Sequence, residues 1–314
     1  MTTLAHVGEF GLIRRLQGRL GGNRRTSSGV VVGIGDDCAV LRHGDTEKYL
    51  LYTCDPVVEG VHFSPSTPPR QVGWKAMARN LSDIAAMGGS PLWAVVSIGL
   101  RPGTSLRYVE RLYDGLHAAA ASFGCQIVGG DTTRVKHEQF VVVTLLGEVE
   151  KSRLTLRAGA RIGDSVFVTG TLGGSRLGKH LTFIPRVAEA RWLVQHFSIH
   201  AMIDLSDGLS SDLHRLIEAG GNRLGFEIQA AEVPLSPAAQ GRLNSALHDG
   251  EDFELLFTID PVEVTSLRKK WLRKFKLPLT EIGRAIRSPG RAWLVGANGR
   301  KELLTPRGYD HFHP

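Results

Sequence analysis

Residues 71–100 read QVGWKAMARNLSDIAAMGGSPLWAVVSIGL. The first half of this stretch predicts a helix over Gln71–Met87, ended by Gly88-Gly89, with an apolar stripe formed by Val72, Met77, Leu81 and Ile84. The second half, Leu92–Leu100, has the apolar continuity of a buried strand. The chain also holds 37 glycines against 4 methionines, which favours many tight backbone positions over a plain helical bundle. An α/β fold is therefore expected.

Similar strand and helix patterns extend along the chain on both sides. Strands are predicted at Val30–Gly33, Tyr49–Thr53, Gln126–Val128, Phe140–Gly147, Ser165–Thr169, Gly225–Ile228 and Phe253–Thr258. Helices are predicted from Leu106 to Phe123, at Leu209–Ala219 and at Pro261–Phe275. Between the two halves, Glu150–Gly163 shows no sustained period. We therefore predict two α/β domains, residues 1–150 and 151–314.

Composition excludes several classes of protein. With 314 residues and 42% hydrophobic content, the chain can bury one large core or two ordinary ones, so disorder is not expected. Its longest apolar runs reach about half of the roughly 20 residues that a membrane helix needs, and the N-terminus does not read as a secretory signal. The cysteines Cys38, Cys54 and Cys125 show no C-x-x-C spacing, so neither a zinc site nor a disulfide framework is indicated. A cytoplasmic location is expected.

The chain is basic, with a formal net charge of +7. This charge is compatible with nucleic acid, an anionic membrane or phosphorylated small molecules as partners. The basic residues concentrate in Arg14–Arg25 and Arg268–Lys276. Neither run matches a motif that reads nucleic acid, so we interpret both as solvated helix faces. Neither a nucleic-acid nor a membrane partner is expected.

Aspartates recur at the ends of apolar runs. They are Asp36, Asp37, Asp55, Asp131, Asp204 and Asp207, and Asp83 lies inside the first long helix. A buried carboxylate is costly unless it is paired or bound to a cation, and ligands that are all oxygen favour Mg²⁺ over zinc. The alternative is that aspartates at strand ends cap helices and form turns. We assign Asp212 to that second class.

Glycines flank several of these acids, as in GIGDD at 33–37, GGDTT at 129–133 and Asp207-Gly208. Without a Cβ atom the backbone can approach an anion closely, so such segments suit phosphate. A P-loop, a dinucleotide fingerprint, a protein-kinase motif set and a G-x-S-x-G elbow are all absent from the sequence. If a nucleotide binds, another type of fold binds it.

Taken in order, these motifs resemble those of the thiamine-monophosphate kinase family. The matching segments are GIGDD (33–37), TCDPVVEGVHF (53–63), NLSDIAAMGG (80–89), GGDTTR (129–134), VTG (168–170), IDLSDGL (203–209), GEDFEL (250–255) and GYDHF (308–312). The SDGL segment is common to a superfamily that includes aminoimidazole ribonucleotide synthetase. The resemblance implies that superfamily's two-domain α/β fold, in which the N-terminal sheet forms a barrel across a homodimer.

The resemblance also implies the reaction, the transfer of the γ-phosphoryl group of ATP to thiamine monophosphate to give thiamine diphosphate. Several Mg²⁺ ions would be held by Asp37, Thr53, Cys54, Asp55, Asp83, Asp131, Asp204 and Asp207. ATP would be bound by Gly130, Asp131, Arg157 and Ser206. The thiamine substrate would be bound by His62, Glu251 and Tyr309. The catalytic group would be Asp37, Asp55, Asp131 and Arg157.

Two departures from the family pattern accompany the resemblance. Cys54 stands where the family usually has threonine, so a side-chain hydroxyl contact to Mg²⁺ is lost there, although the backbone carbonyl remains. The segment between Gly174 and Met202 is shorter than is common. Two other functions stay open: a synthetase of the same fold that uses ATP to activate oxygen or selenium, and a basic protein that binds nucleic acid in a salt-dependent way.

Overall fold

The structure, a computed structural model, describes residues 2–20 and 29–312. Within them, the helices are α1 (Leu4–Arg19), α2 (Pro69–Ala86), α3 (Leu106–Ser122), α4 (Val187–His196), α5 (Leu209–Ala219), α6 (Leu243–His248) and α7 (Val264–Lys274). The strands are β1 (Val30–Val32), β2 (Ala39–Arg42), β3 (Lys48–Val58), β4 (Ser90–Leu100), β5 (Gln126–Arg134), β6 (Phe140–Glu150), β7 (Ser165–Thr169), β8 (Ile199–Asp204), β9 (Gly225–Gln229), β10 (Leu255–Ile259), β11 (Leu279–Ile286), β12 (Ala292–Val295) and β13 (Lys301–Leu303).

The first sheet has the strand order β1-β2-β3-β6-β4-β5. Burial alternates along β6, as expected for strands with one covered face. Helix α2 packs against the covered face, where Leu51, Val57 and Met77 are fully buried. The opposite face exposes large side chains of Tyr52, Trp93, Val95 and Val128. In the described chain neither sheet closes on itself, so the expected barrel does not form within one copy.

The second sheet has the order β13-β12-β9-β11-β7-β10-β8. Its inner strands β7 and β10 are buried at every residue, because elements cover both of their faces. One hydrophobic core includes Leu51 and Met77 of the first half together with Phe257 and Trp271 of the second. The two sheets are therefore held by a shared core, and the division into domains 1–150 and 151–314 stays a prediction.

Helix α2 lies close to α3 because a glycine faces the partner backbone on each helix. A Cβ atom on Gly73 would lie 2.0 Å from the Leu112 carbonyl oxygen, and one on Gly115 would lie 1.9 Å from the Arg70 carbonyl oxygen. Close packing of this kind fixes the position and rotation of α2. The packing therefore also fixes the positions of the α2 side chains that face the candidate active site described below.

The sequence predictions hold for most elements. The helix expected at Gln71–Met87 is α2, and the strand expected at Leu92–Leu100 lies within β4. Two aspartates do not end their strands: β3 continues past Asp55 and β5 continues past Asp131, because ladder pairing with β6 and β4 extends beyond them. The placement of these two acids at strand ends was therefore wrong.

Other differences concern boundaries. The strand expected at Phe253–Thr258 begins only at Leu255, because Phe253 has a φ of 51°, which extended backbone does not allow. The predicted helix Pro261–Phe275 divides into a short 3₁₀ turn and α7. The part of the basic run Arg14–Arg25 from residue 21 onward lies outside the described residues. None of the described helices is long and apolar enough to cross a membrane.

Candidate active site

Three carboxylates from separate elements meet at one point. Asp37 follows β1, Asp83 lies in the last turn of α2 and Asp204 ends β8, and their carboxylate oxygens lie within 4.8 Å of one another. Burial, and after it the neighbouring carboxylates, raises the pKa of Asp83 and raises the pKa of Asp204 to about 7. Carboxylates that resist ionisation in this way favour a bound cation.

The partners of these acids leave room for a metal. The Arg157 guanidinium donates to both carboxylate oxygens of Asp37, over 2.6 and 3.2 Å, and the Arg157 backbone N–H donates to Asp36. The hydroxyl group of Ser82 donates to Asp204 over 2.5 Å and that of Thr53 donates to Asp83. Within the described residues, no Lys or Arg forms an ion pair with Asp83 or Asp204. An oxygen-only site with this excess of negative charge fits Mg²⁺.

The carboxylates open into a cavity of about 1020 Å³, which is large enough for a nucleotide. Most of the predicted metal and ATP residues line it: Asp37, Thr53, Cys54, Asp55, Asp83, Arg157, Asp204, Ser206 and Asp207. Helix α1 contributes Phe10 and Ile13 to the same wall. The sequence analysis gave α1 no part in the site, since its residues carry no motif.

A second polar cluster lies near the N-terminal half of α2. The Lys75 ammonium is fully buried, 2.6 Å from a carboxylate oxygen of Glu251, and it donates to the His62 carbonyl oxygen over 2.8 Å. Burial lowers the pKa of Lys75, and the Glu251 carboxylate opposes that effect. Burial, followed by the positive charges of Arg79 and Lys75, lowers the pKa of His62 to about 3. His62 is therefore neutral at physiological pH.

The loop that carries Glu251 is held in an uncommon backbone conformation. Glu251 and Phe253 have φ values of 56° and 51°, where non-glycine residues are rare and each costs about 1–3 kcal/mol. Their N–H groups donate to the Ser206 and Leu205 carbonyls, and the Phe253 ring stacks on Phe183 at 4.0 Å between centroids. These contacts hold Glu251 toward Lys75.

The C-terminal segment reaches the same region. The Tyr309 N–H donates to the Asp207 carbonyl oxygen over 3.0 Å, and the Arg176 guanidinium lies 5.0 Å from the Tyr309 ring centroid. The ring of His311 lies 5.4 Å from that of His62. Tyr309 therefore docks between Asp207 and the cluster around Lys75. The three predicted thiamine residues, His62, Glu251 and Tyr309, therefore lie together around Lys75 and His311, and none of the three lines the cavity among the described residues.

Two predicted residues lie elsewhere. Gly130 and Asp131 are exposed on the edge strand β5 and do not line the cavity among the described residues. Asp131 on β5 pairs with Ser97 on β4. Ser97 pairs in turn with Val142 on β6, and Val142 pairs with Pro56 on β3. Asp131 therefore lies three strands from β3, about 14 Å away at about 4.8 Å per strand. Because directly paired residues share a sheet face, Asp131 is on the face opposite the one that holds Asp55.

Sequence reasoning missed Lys75 and Arg79. The Arg79 Nε donates to Asp55 over 3.2 Å, and the side chain lines the cavity. Lys75, Arg79 and Asp83 follow one another at intervals of four residues, so the three share one helix face. That spacing was readable from the sequence and marks a polar face on an otherwise buried helix.

Comparison with known proteins first identifies the structural class of this chain. The family model described as AIR synthase related protein, N-terminal domain, matches residues 35–149. The HypE-HypF complex structure has a TM-score of 0.72 at 16% identity, covers 94% of this chain and 99% of that one, and shows the fold alone. The mixed α/β fold with two sheets therefore matches that of AIR synthase-related structures.

Closer relatives give the family. The thiamine-monophosphate kinase of Rhodopirellula baltica is 38% identical over 307 residues, covering 93% of this chain and 95% of that protein. The one from Aquifex aeolicus is 36% identical and covers 98% and 99%. The solved structure of AaThiL complexed with AMPPCP and TMP has a TM-score of 0.83 at 34% identity and covers 99% of both chains. This chain belongs to the thiamine-monophosphate kinase family.

The raised pKa values lead to a pH-dependent prediction. Without metal, the free energy of unfolding should fall as the pH rises from 3.8 toward about 7, because the folded state holds the Asp204 proton more tightly than the unfolded state does. Mg²⁺ bound at these carboxylates would displace that proton, so it should raise the melting temperature more at about pH 8 than at about pH 5.5. Thermal unfolding with Mg²⁺ and with EDTA measures this difference. An equal gain at both pH values would contradict a metal site built on these carboxylates.

Proposed function

We propose that this chain transfers the γ-phosphoryl group of ATP to the phosphate of thiamine monophosphate, giving thiamine diphosphate and ADP. The observation that carries the proposal is the alignment, along α2, of a carboxylate cluster with the buried Lys75–Glu251 pair. The carboxylate cluster suits the cations that accompany a triphosphate. The Lys75–Glu251 pair suits an acceptor with a polar ring system. The relative solved with AMPPCP, an analogue of ATP, and with TMP supports the same pairing of ligands.

The proposed metal ligands are Asp37, Thr53, Cys54, Asp55, Asp83, Asp131, Asp204 and Asp207. Bound Mg²⁺ would offset the repulsion between the two anionic reactants and the charge on the transferring group. The thiol of Cys54 accepts a hydrogen bond from Thr144, and Cys54 alternates with Thr53 along β3, so the two side chains are on opposite faces. Any contact from Cys54 to a metal therefore uses its backbone carbonyl.

The chain's own residues supply position rather than acid–base chemistry. A terminal phosphate oxygen of the acceptor attacks the γ-phosphorus, and the bond to the β–γ bridging oxygen breaks. The attacking phosphate is already ionised near neutral pH, so no general base is needed. In this proposal Arg157, held by Asp37, binds the nucleotide phosphates together with Ser206; both residues line the cavity. In this proposal the neutral His62 ring contacts the thiamine moiety, and so do the side chains of Glu251 and Tyr309. The three free cysteines accord with a reducing, cytoplasmic setting.

A homodimer is the second part of the proposal. The exposed face of the first sheet carries Tyr52, Trp93 and Val95, and one edge of β5 has no paired strand among residues 2–20 and 29–312. A second copy would cover this face and complete a barrel. Since Asp131 lies on this face and away from its own cavity, we propose that each copy supplies Gly130 and Asp131 to the site of the other.

Product formation tests the reaction. With ATP and Mg²⁺, the protein should form thiamine diphosphate from thiamine monophosphate, with one ADP per product, and form none from thiamine. Asp37→Asn should reduce kcat by at least about 100-fold, because it removes charge that holds the cations. Circular dichroism should show an unchanged fold. Near-normal turnover by Asp37→Asn, or no thiamine diphosphate from the wild-type protein, would contradict the proposal.

Subunit complementation tests the shared site. Asp37→Ala and Asp131→Ala chains should each be inactive alone, and co-expression should restore about one quarter of wild-type turnover, because half of the dimers are mixed and each mixed dimer has one intact site. The control is a mixture of Asp37→Ala with Asp83→Ala, in which both residues belong to the same chain's site, so no recovery is expected. A lack of recovery in the first mixture would place Asp131 outside the partner's site.

A further inference from the structure

One face of α2 connects the two ends of the site. Lys75, Arg79 and Asp83 are spaced by four residues, and each contacts a different functional group: Glu251, Asp55 and the carboxylate cluster. With a rise of about 1.5 Å per residue, Arg79 lies about 6 Å along the helix from both of the others. Arg79 is therefore midway between the thiamine end and the metal end.

The Arg79 guanidinium is held by its own chain at two of its three nitrogens. Its Nε donates to a carboxylate oxygen of Asp55 over 3.2 Å, and its Nη1 donates to the Pro56 carbonyl over 3.4 Å. Its Nη2 has no hydrogen-bond partner among the residues that the structure describes. The side chain is 14% exposed and lines the cavity. The guanidinium is thus anchored and still has donors for a ligand.

We propose that Arg79 binds the phosphate of the acceptor and so determines that the protein selects a phosphorylated acceptor over the corresponding alcohol. This inference rests on the proposed function. An acceptor that reaches from Glu251 toward the carboxylates must bring its anionic phosphate past Asp55 and Asp83, which repel it. Arg79 is the cation at that point, and a guanidinium matches phosphate geometry.

The neighbouring cation does not serve this role. The Lys75 ammonium is fully buried and is already engaged by Glu251 and by the His62 carbonyl. Arg157 is bound to Asp37 through both carboxylate oxygens at the metal end. Arg79 is therefore the cation on this face of α2 that is open to the cavity.

The test compares two ligands that differ only in the phosphate. Calorimetric binding of thiamine monophosphate and of thiamine is measured in EDTA, so that no metal bridges the phosphate to the carboxylates. Arg79→Met should weaken binding of the monophosphate by about 10- to 100-fold, the usual effect of losing hydrogen bonds to a charged group, and leave thiamine binding unchanged. The matched control is Arg70→Met, which removes the same charge from an exposed position on the same helix.

A second variant covers the case in which Arg79→Met does not fold. Arg79→Lys keeps the charge beside Asp55 but has a single ammonium group in place of the fork, so it should lower the preference for the monophosphate over thiamine. The proposed role of Arg79 would be overturned if a folded variant kept the wild-type preference for thiamine monophosphate, or if it lost affinity for both ligands equally. Either result would leave the proposed function standing. A wild-type protein that neither binds nor phosphorylates thiamine monophosphate would overturn the proposed function as well.

Discussion

Three carboxylates within 4.8 Å of one another repel strongly when they are ionised and shielded from water. The folded chain brings them together from a loop, a helix and a strand, and within the described residues only Asp37 has a cationic partner, Arg157. Such an arrangement is unfavourable for the apoprotein, since burial raises the pKa of Asp83 and Asp204. It becomes favourable once divalent cations neutralise the charge. In the proposed function, the stability lost locally in this way is offset when cations bind and hold the two anionic reactants.

Helix α2 organises both ends of the site. Glycines at its contact with α3 let the helices approach closely and fix its rotation. This rotation sends Lys75 to Glu251, Arg79 to Asp55 and Asp83 to the carboxylate cluster. Since a helix is rigid over this length, the distance between the proposed acceptor site and the proposed metal site is set by the backbone rather than by mobile loops. A rigid spacing of this kind is what an in-line transfer between two phosphates requires.

Much of the fold was predictable from local patterns. The period of the apolar residues gave α2, β4 and α5 nearly to their ends, because each buries one stripe or one continuous run. Patterns around residues 250–254 predicted an early strand start, since periodicity carries no information on the positive φ of Glu251 and Phe253. The ends of β3 and β5 were also misplaced. There, cross-strand pairing overrides the local turn signal of glycine and aspartate.

The site was predictable only in part, for a physical reason. Acid and glycine motifs identified Asp37, Asp83 and Asp204, which the fold then gathers from segments far apart in the chain. The same motifs could not tell that Asp131 lies on the opposite face of the sheet, because this follows from strand register and order. Lys75 and Arg79 were missed because a cation on an apolar helix usually extends to solvent. The four-residue intervals between Lys75, Arg79 and Asp83 were the available signal.

The central claim is that these carboxylates exist to bind divalent cations between the two reactants. Crystals grown with Mn²⁺ and a non-hydrolysable ATP analogue would test it through anomalous scattering. The account predicts at least one strong peak in contact with carboxylate oxygens of Asp37, Asp83 and Asp204, at about 2.0–2.2 Å as for Mg²⁺ or slightly longer. A map with no peak at this position, and with nucleotide bound in the cavity, would contradict it.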